Sequence, residues 1–336
     1  MRTMIAPLAV RAAHAGALAM VTIVGAGGAI SNELVTRLGE RKEAFRLVGR
    51  SAHPVPGASG TAEILTADVT DQSEAIRAVA GSKLVYLLVG LKYDHKLWAE
   101  LWPRVMANTI EACKRAGAKL IFFDDVYMYG RVDGAMTEET PFNPCSKKGE
   151  VRARVARTLI EASESGSITA MIARCADFYG PGARMGVGNV MVFDMLARGK
   201  KAMWFANRDF PHSLTYTPDA AESLVKLAET ESAWNQTWHV PTAPNPPTAK
   251  EFVAMAAKEF RAEPKCRVVW PFTMRLVGLI NPVVGEMREM VYQYDSLYIF
   301  DSSKYAKAFG FAGTPYAEGI RATAEAVKKE IPKLQR

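Results

Sequence analysis

Gly25-Ala26-Gly27-Gly28 is the densest chemical signal in this sequence. It lies between an apolar β-branched run, Val21-Thr22-Ile23-Val24, and a stretch in which Ile30, Leu34, Val35 and Leu38 recur at helical spacing. A glycine at the first position permits a tight turn. The next ones let the backbone approach a pyrophosphate at a helix N-terminus, where unpaired N–H groups attract anions. Gly25, Gly27, Gly28, Ala29 and Ile30 are therefore the expected diphosphate cradle of a dinucleotide. The third glycine of the common fingerprints is absent; Ile30 and Ser31 stand there, which should loosen helix–strand packing slightly.

Other residues extend this site. The second strand ends Val48-Gly49-Arg50. An acid there would bind a ribose 2′-hydroxyl, whereas an arginine suits a 2′-phosphate, so NADP is expected over NAD. Asp68-Val69, after the third strand, is placed to meet the adenine, although Asp68 equally fits a helix cap. Leu88-Val89-Gly90, ending the fourth strand, should pass beside the cofactor. Tyr179, after the sixth strand, is expected beside the nicotinamide. Tyr93, His95, Tyr127 and His212 are candidate substrate-pocket residues.

The elements that must position these groups alternate. Strands are expected over 21–24, 45–48, 62–65, 84–89, 119–123 and 168–173. Helices are expected after the glycine turn and over 73–79, 96–116 and 149–162, with Leu101, Val105 and Ala112 on the buried face of the long one. Such alternation means an α/β fold, a doubly wound parallel (Rossmann) sheet. Past Tyr179 the chain becomes loop-rich, with Pro241, Pro244, Pro246 and Pro247 marking connections. The expected division is an extension over 1–19 outside the fold, a nucleotide-binding domain over 20–178, and a mainly substrate-binding lobe over 179–336, some of it returning to the first domain. Val268 to Glu286 reads as a strand end followed by a short buried helix.

With these residues in place, the chain from Met20 onward resembles the extended short-chain dehydrogenase/reductases of the NAD-dependent epimerase/dehydratase family. The resemblance rests on the glycine turn, on Ala112 through Tyr127-Met128-Tyr129-Gly130, on Arg174-Cys175-Ala176-Asp177-Phe178-Tyr179-Gly180-Pro181, and on Leu214 to Glu222. It implies nicotinamide chemistry on a sugar nucleotide or a small carbonyl compound, and often a homodimer. It also implies a Ser/Thr after the fifth strand and a Tyr-x-x-x-Lys on the next helix, the groups that orient a carbonyl and transfer a proton. This sequence departs from that pattern: Asp125 stands at the serine position, Cys145 at the tyrosine and Gly149 at the lysine. Asp125, Tyr129 and Lys148 are the candidate replacements. Asp125, if desolvated, would serve as an acid or base. Lys148 is one residue, about 100° of helix, from the usual lysine. Lys148 and Arg152 share a helical face and either bind an anion or face water. A sensor that holds NADP(H) without turnover is the alternative function.

Composition narrows the field. The 336 residues are 49% hydrophobic and 23% charged, an ordinary globular composition that excludes disordered and fibrous classes. The net charge of +7 is concentrated at the two ends, around Arg2 and Arg11 and from Lys328 onward. No nucleic-acid partner is expected. Four scattered cysteines and five scattered histidines give neither a disulfide framework nor a metal site. No apolar run is long enough to span a bilayer, and the expected setting is cytoplasmic, with no membrane partner.

Overall fold

The computed structural model describes residues 20–55, 62–278 and 280–334. The 1–19 extension lies outside the described residues. The first βαβ unit is β1 (Met20–Val24), α1 (Ala29–Glu40) and β2 (Phe45–Gly49), followed by β3 (Ala62–Thr66), α2 (Gln72–Val79) and β4 (Ser82–Leu87). The chain continues through α3 (His95–Ala116), β5 (Lys119–Asp124), β6 (Ala135–Met136), α4 (Lys147–Glu164) and β7 (Ala170–Arg174).

Seven parallel strands form the central sheet in the order β11-β7-β5-β4-β1-β2-β3, where β11 is Thr237–His239. The chain winds outward from β1 on one side through β2 and β3, and on the other through β4, β5 and β7. The strand order reverses between β1 and β4, and a crevice opens there beyond the carboxyl ends of the strands. The strands are β-branched and apolar because both faces are covered. Val24, Val85 and Leu87 pack with Trp98, Val105, Val151 and Leu159 of α3 and α4. Val21, Ile23 and Tyr86 pack on the other face with Leu34 and Val35 of α1 and with Leu224.

The long helix is set by its ends. Asp94 caps α3 by accepting from the Lys96 and Leu97 amides (2.9 and 3.1 Å), and Gly117 closes it at φ 65°. Its buried stripe differs from expectation. Trp98, Trp102, Val105, Met106, Thr109 and Ala112 face inward, whereas Leu101 is only half-buried. The tryptophans pack there on other rings and a cation: Trp102 meets Phe122 of β5 edge-on at 6.0 Å and Trp98 stacks on Tyr127 at 6.3 Å. Helix α4 begins two residues before the expected Gly149, because Ser146 is the N-cap and accepts from the Gly149 amide at 3.0 Å.

The smaller lobe is built from β8 (Asp177–Tyr179), α5 (Asp194–Ala197), β9 (Ala202–Phe205), β10 (Leu214–Tyr216), α6 (Thr217–Glu229), α7 (Ala249–Phe260) and β12 (Cys266–Val269). It is completed by α8 (Pro271–Val277), α9 (Pro282–Met287), β13 (Ile299–Phe300), α10 (Ser303–Phe309) and α11 (Tyr316–Leu334). Two segments return to the first domain: β11 pairs with β7, and Leu224 of α6 packs beneath the sheet beside α1. The lobe has its own core of Tyr179, Phe193, Trp204, Phe252 and Ile320. The expectation of a short buried helix after Val268 is not met. Only Met274 of α8 is buried; Phe272, Leu276 and Val277 are exposed.

Candidate active site

A cavity of about 1010 Å³ occupies the crevice between β1 and β4. That lies at the upper end of the ~300–1,000 Å³ usual for small-molecule sites. Gly25, Gly27, Gly28, Ala29, Ile30, Arg50, Asp68, Val69, Leu88, Val89 and Gly90 all line it. The glycines differ in what they provide. At Gly25 (φ +108°) a Cβ would fall 2.5 Å from the Leu88 carbonyl, so only glycine lets β1 turn against the end of β4. At Gly27, Gly28 and Gly90 a Cβ would meet nothing within 4 Å, because their open side is the cavity.

Gly28 is the N-cap of α1, and no side chain caps this helix. Its first amides are left for a ligand at the positive end of the helix dipole. The missing third glycine has a local replacement. Ser31 is buried and its Oγ accepts from the Gly27 amide at 3.1 Å, while Ile30 packs into the core against β1. Packing is therefore not loosened there. Buried Asn32 Oδ1, on the same cavity wall, has no partner. An open glycine cradle, an uncapped helix start and an unpaired polar atom fit a bound dinucleotide.

Arg50 is exposed and has no hydrogen-bond or ion-pair partner among the described residues. Asp68 does not cap the helix; Asp71 does, accepting from the Glu74 amide at 2.9 Å. The Asp68 carboxylate instead holds its own turn through the Thr70 amide and hydroxyl (3.0 and 2.8 Å). Tyr179 is not on the cavity wall. It is fully buried in the lobe, stacked on Phe193 and Tyr316, because β8 pairs with β10 and directs it into that core.

The three candidate catalytic residues separate. Asp125 reaches the cavity. Its Oδ2 lies 3.1 Å from Arg152 Nε, its Oδ1 accepts from the Tyr127 amide at 2.9 Å, and its side chain stays 24% exposed. Burial, and the adjacent Asp124 carboxylate, outweigh the opposing pull of Arg152 and push Asp125 up to about 7. Arg152 does not face water. It is buried over the Trp102 ring (4.3 Å) and bonded to Asp124, whose other oxygen lies 3.5 Å from Arg174. Asp124, Arg152 and Arg174 form a buried ionic cluster, with Asp125 at its cavity edge.

Tyr129 and Lys148 do not line the cavity and are held in buried networks. Tyr129 is fully buried and does not line the cavity. Its hydroxyl accepts from Arg174 Nη1 (2.8 Å) and donates to His239 Nε2 (2.9 Å). The donor sense follows from His239, whose Nδ1 faces the Asp301 carbonyl at 2.7 Å and whose burial lowers it to about 3, so the ring is neutral. Lys148 is buried between Glu286 (2.5 Å) and Glu289 (2.7 Å), 4.4 Å from the Tyr93 ring centroid. Cys145 is exposed at the entrance to α4.

None of the four substrate candidates lines the cavity; Tyr93, His95 and Tyr127 belong to the first domain and His212 to the lobe. His95 is fixed to Glu286 through its Nδ1 (2.7 Å) and its amide (2.9 Å). Burial raises Glu286, but hydrogen bonds from Lys148 and His95 overcome this and hold it near about 2. His212 is buried, stacked between Tyr294 and Tyr298, with Nε2 3.0 Å from Asp177. It is a packing residue with a polar tether. Tyr93 and Tyr127 are half-buried, and burial raises both phenols, helped by Asp125 and Asp177. Sequence reading missed Trp98, Trp102, Asp124 and Phe178 as cavity-lining residues, and Arg184, Met185 and Glu330 at its rim. Only Trp98-x-x-x-Trp102, two rings one turn apart, was a legible signal.

Comparison with known proteins agrees with this geometry. The sequence profile of the NAD dependent epimerase/dehydratase family matches residues 21–240. A dTDP-glucose 4,6-dehydratase from Streptomyces venezuelae, solved with NAD, is similar in fold at 15% identity, with a TM-score of 0.77 over 94% of this chain and 98% of that one. A UDP-glucose 4-epimerase from Thermotoga maritima, solved with UDP-glucose, has 19% identity and a TM-score of 0.77 over 93% and 99% of the two chains. One from Thermus thermophilus, solved with NAD, gives 17% identity and a TM-score of 0.72 over 91% and 98%. No curated protein matches the sequence. A profile match spanning most of the sheet and its β11 edge, on a crevice of this build, places the chain in the NAD dependent epimerase/dehydratase family.

Proposed function

We propose that the chain is an NAD(P)-dependent oxidoreductase or epimerase/dehydratase-like enzyme in which Asp125 replaces the family's tyrosine as acid–base group. The carrying observation is Asp125 itself. Of the three candidate catalytic residues it is the one that lines the cavity, and burial pushes it up to about 7. The bound nicotinamide supplies hydride transfer. The chain's own residues do the rest. The α1 amides and Gly25–Gly28 bind the diphosphate, and Val69 and Leu88–Gly90 border the remaining length. Trp98 and Trp102 hold Arg152, and Arg152 fixes the Asp125 carboxylate that gives or takes a proton at a substrate oxygen. A sugar nucleotide or a small carbonyl or alcohol is the substrate class, in keeping with the similar solved structures. Arg50, just past the end of β2 and without a partner among the described residues, supports NADP over NAD.

A specific observation favours a second reading, a non-catalytic NADP(H) sensor. Tyr129 and Lys148 are both consumed by buried networks and neither reaches the cavity. NADPH oxidation with a panel of carbonyls, NADP+ reduction with a panel of alcohols, and product analysis of sugar nucleotides for epimer or dehydrated product separate the two. The enzyme reading expects turnover that falls by about a hundredfold or more in Asp125→Asn. Turnover indifferent to that substitution contradicts it, and tight NADPH binding without turnover across the panel supports the sensor.

A further inference from the structure

Away from the cavity, α8 and the turn after it present an unusual surface. Trp270, Phe272, Leu276, Val277 and Ile280 are all large, apolar and exposed, with Phe272 at 69% and Ile280 at 86%. Scattered exposed apolar residues are ordinary, but five within eleven positions are not. The face is built to point outward. Met274 alone anchors α8 in the lobe, and the Thr273 hydroxyl donates to the Trp270 carbonyl at 2.7 Å, closing the first turn. The hairpin with α9 is tight: a Cβ on Gly278 would come 2.9 Å from Gly285 Cα. At the far end of α9, Glu286 is bonded to Lys148 and His95, so the hairpin is fastened to the first domain.

Charge identifies the partner. From residue 264 to 285 the sequence contains Lys265, Arg267 and Arg275 and no acid. Arg267 and Arg275 are exposed and without an ion-pair partner among the described residues. An apolar ridge flanked by free cations matches an anionic bilayer surface, where rings and branched side chains enter the acyl boundary and arginines remain at the headgroups. A second copy of this chain fits poorly. A two-fold pairing of this face would bring Arg267 and Arg275 of both copies together, and the exposed acid at its edge, Glu263, is already paired with Lys265. No helix of the described residues is long and apolar enough to cross a membrane, but a helix lying on the surface need not cross.

We propose that the α8–α9 hairpin docks the protein peripherally on anionic lipid, with Trp270, Phe272, Leu276 and Ile280 as the inserting residues. This does not depend on the nucleotide site. The test is co-sedimentation of the full chain with vesicles of phosphatidylcholine alone or mixed with phosphatidylglycerol. Wild type should bind the mixed vesicles, release with rising salt, and bind phosphatidylcholine weakly. Phe272→Glu and Ile280→Glu should each reduce binding by about tenfold. Both positions are exposed, so the melting temperature should stay unchanged, and that is measured alongside. Arg275→Glu should reduce binding only to the anionic vesicles. Absence of binding to either vesicle overturns the proposal, as does binding that Phe272→Glu leaves intact. A wild-type dimer dissolved by Phe272→Glu, without vesicle binding, overturns it in favour of self-association.

Discussion

At the scale of residues, the proposed use of a carboxylate where the family uses a phenol would change which pH favours reaction. Asp125 is held up to about 7 because it is buried beside Asp124. The rate carried by it should therefore change near neutrality. An Asp125→Asn profile should be flat over that range, and Asp125→Glu should keep a shifted version of it; stopped-time assays of NADPH oxidation against pH show which. Gly25 is the second sharp position. A Cβ there collides with the Leu88 backbone at 2.5 Å, and φ is +108°. Gly25→Ala should cost about 2 kcal/mol in thermal unfolding and lower dinucleotide affinity together. For Arg50→Ala the account expects about a tenfold loss of NADPH affinity, with NADH affinity unchanged, by fluorescence titration. At this scale the glycine turn and the strand ends that line the crevice were legible, because a glycine's role follows from local backbone geometry, whereas the position of Tyr179 was not. Nor was the fate of Tyr129 and Lys148. Their burial is decided by His239, Glu286 and Glu289, which lie 110 or more positions from the residues they hold and carry no readable spacing toward them.

At the scale of elements, α4 ties the two lobes. Lys148 on its first turn holds Glu286 and Glu289, and Arg152 one turn on holds Asp124 and Asp125. Removing the buried ammonium leaves two carboxylates facing each other. Lys148→Ala should destabilise by about 3 kcal/mol, and Lys148→Arg should not restore it, since the space beside Tyr93 suits a compact ammonium. Chemical denaturation of both variants checks this. The alternation of strands and helices was plain from apolar runs and glycine stops, and β1 to β5 stand where the sequence puts them. Boundaries shifted by a residue or two where a cap decides, as Ser146 does for α4. The α8 region misled because an apolar stretch reads as core, and periodicity cannot tell a buried face from one kept for a partner.

At the scale of the whole molecule, charge linkage and the cavity set the behaviour. Asp125 has a folded value raised above its ordinary 3.8. Between 3.8 and about 7 the native state holds a proton that the unfolded chain has released, so this group's contribution falls as pH rises through that window. Glu286 acts in the opposite sense: lowered from 4.5 to about 2, it stabilises above 4.5 and that support is lost as pH falls toward about 2. The fold as a whole was readable from its doubly wound order, and the family profile over residues 21–240 agrees with it. The substrate was not readable, because the cavity is lined from segments far apart in the chain, such as Trp98, Asp125, Phe178 and Arg184, which only folding brings together. All of this depends on the glycine turn of β1–α1 holding a pyridine dinucleotide. Titration calorimetry of the pure chain with NADPH and NADH decides it. One saturable site is predicted, tighter for NADPH and weakened in Gly25→Ala; no heat with either coenzyme, or binding untouched by Gly25→Ala, would contradict it.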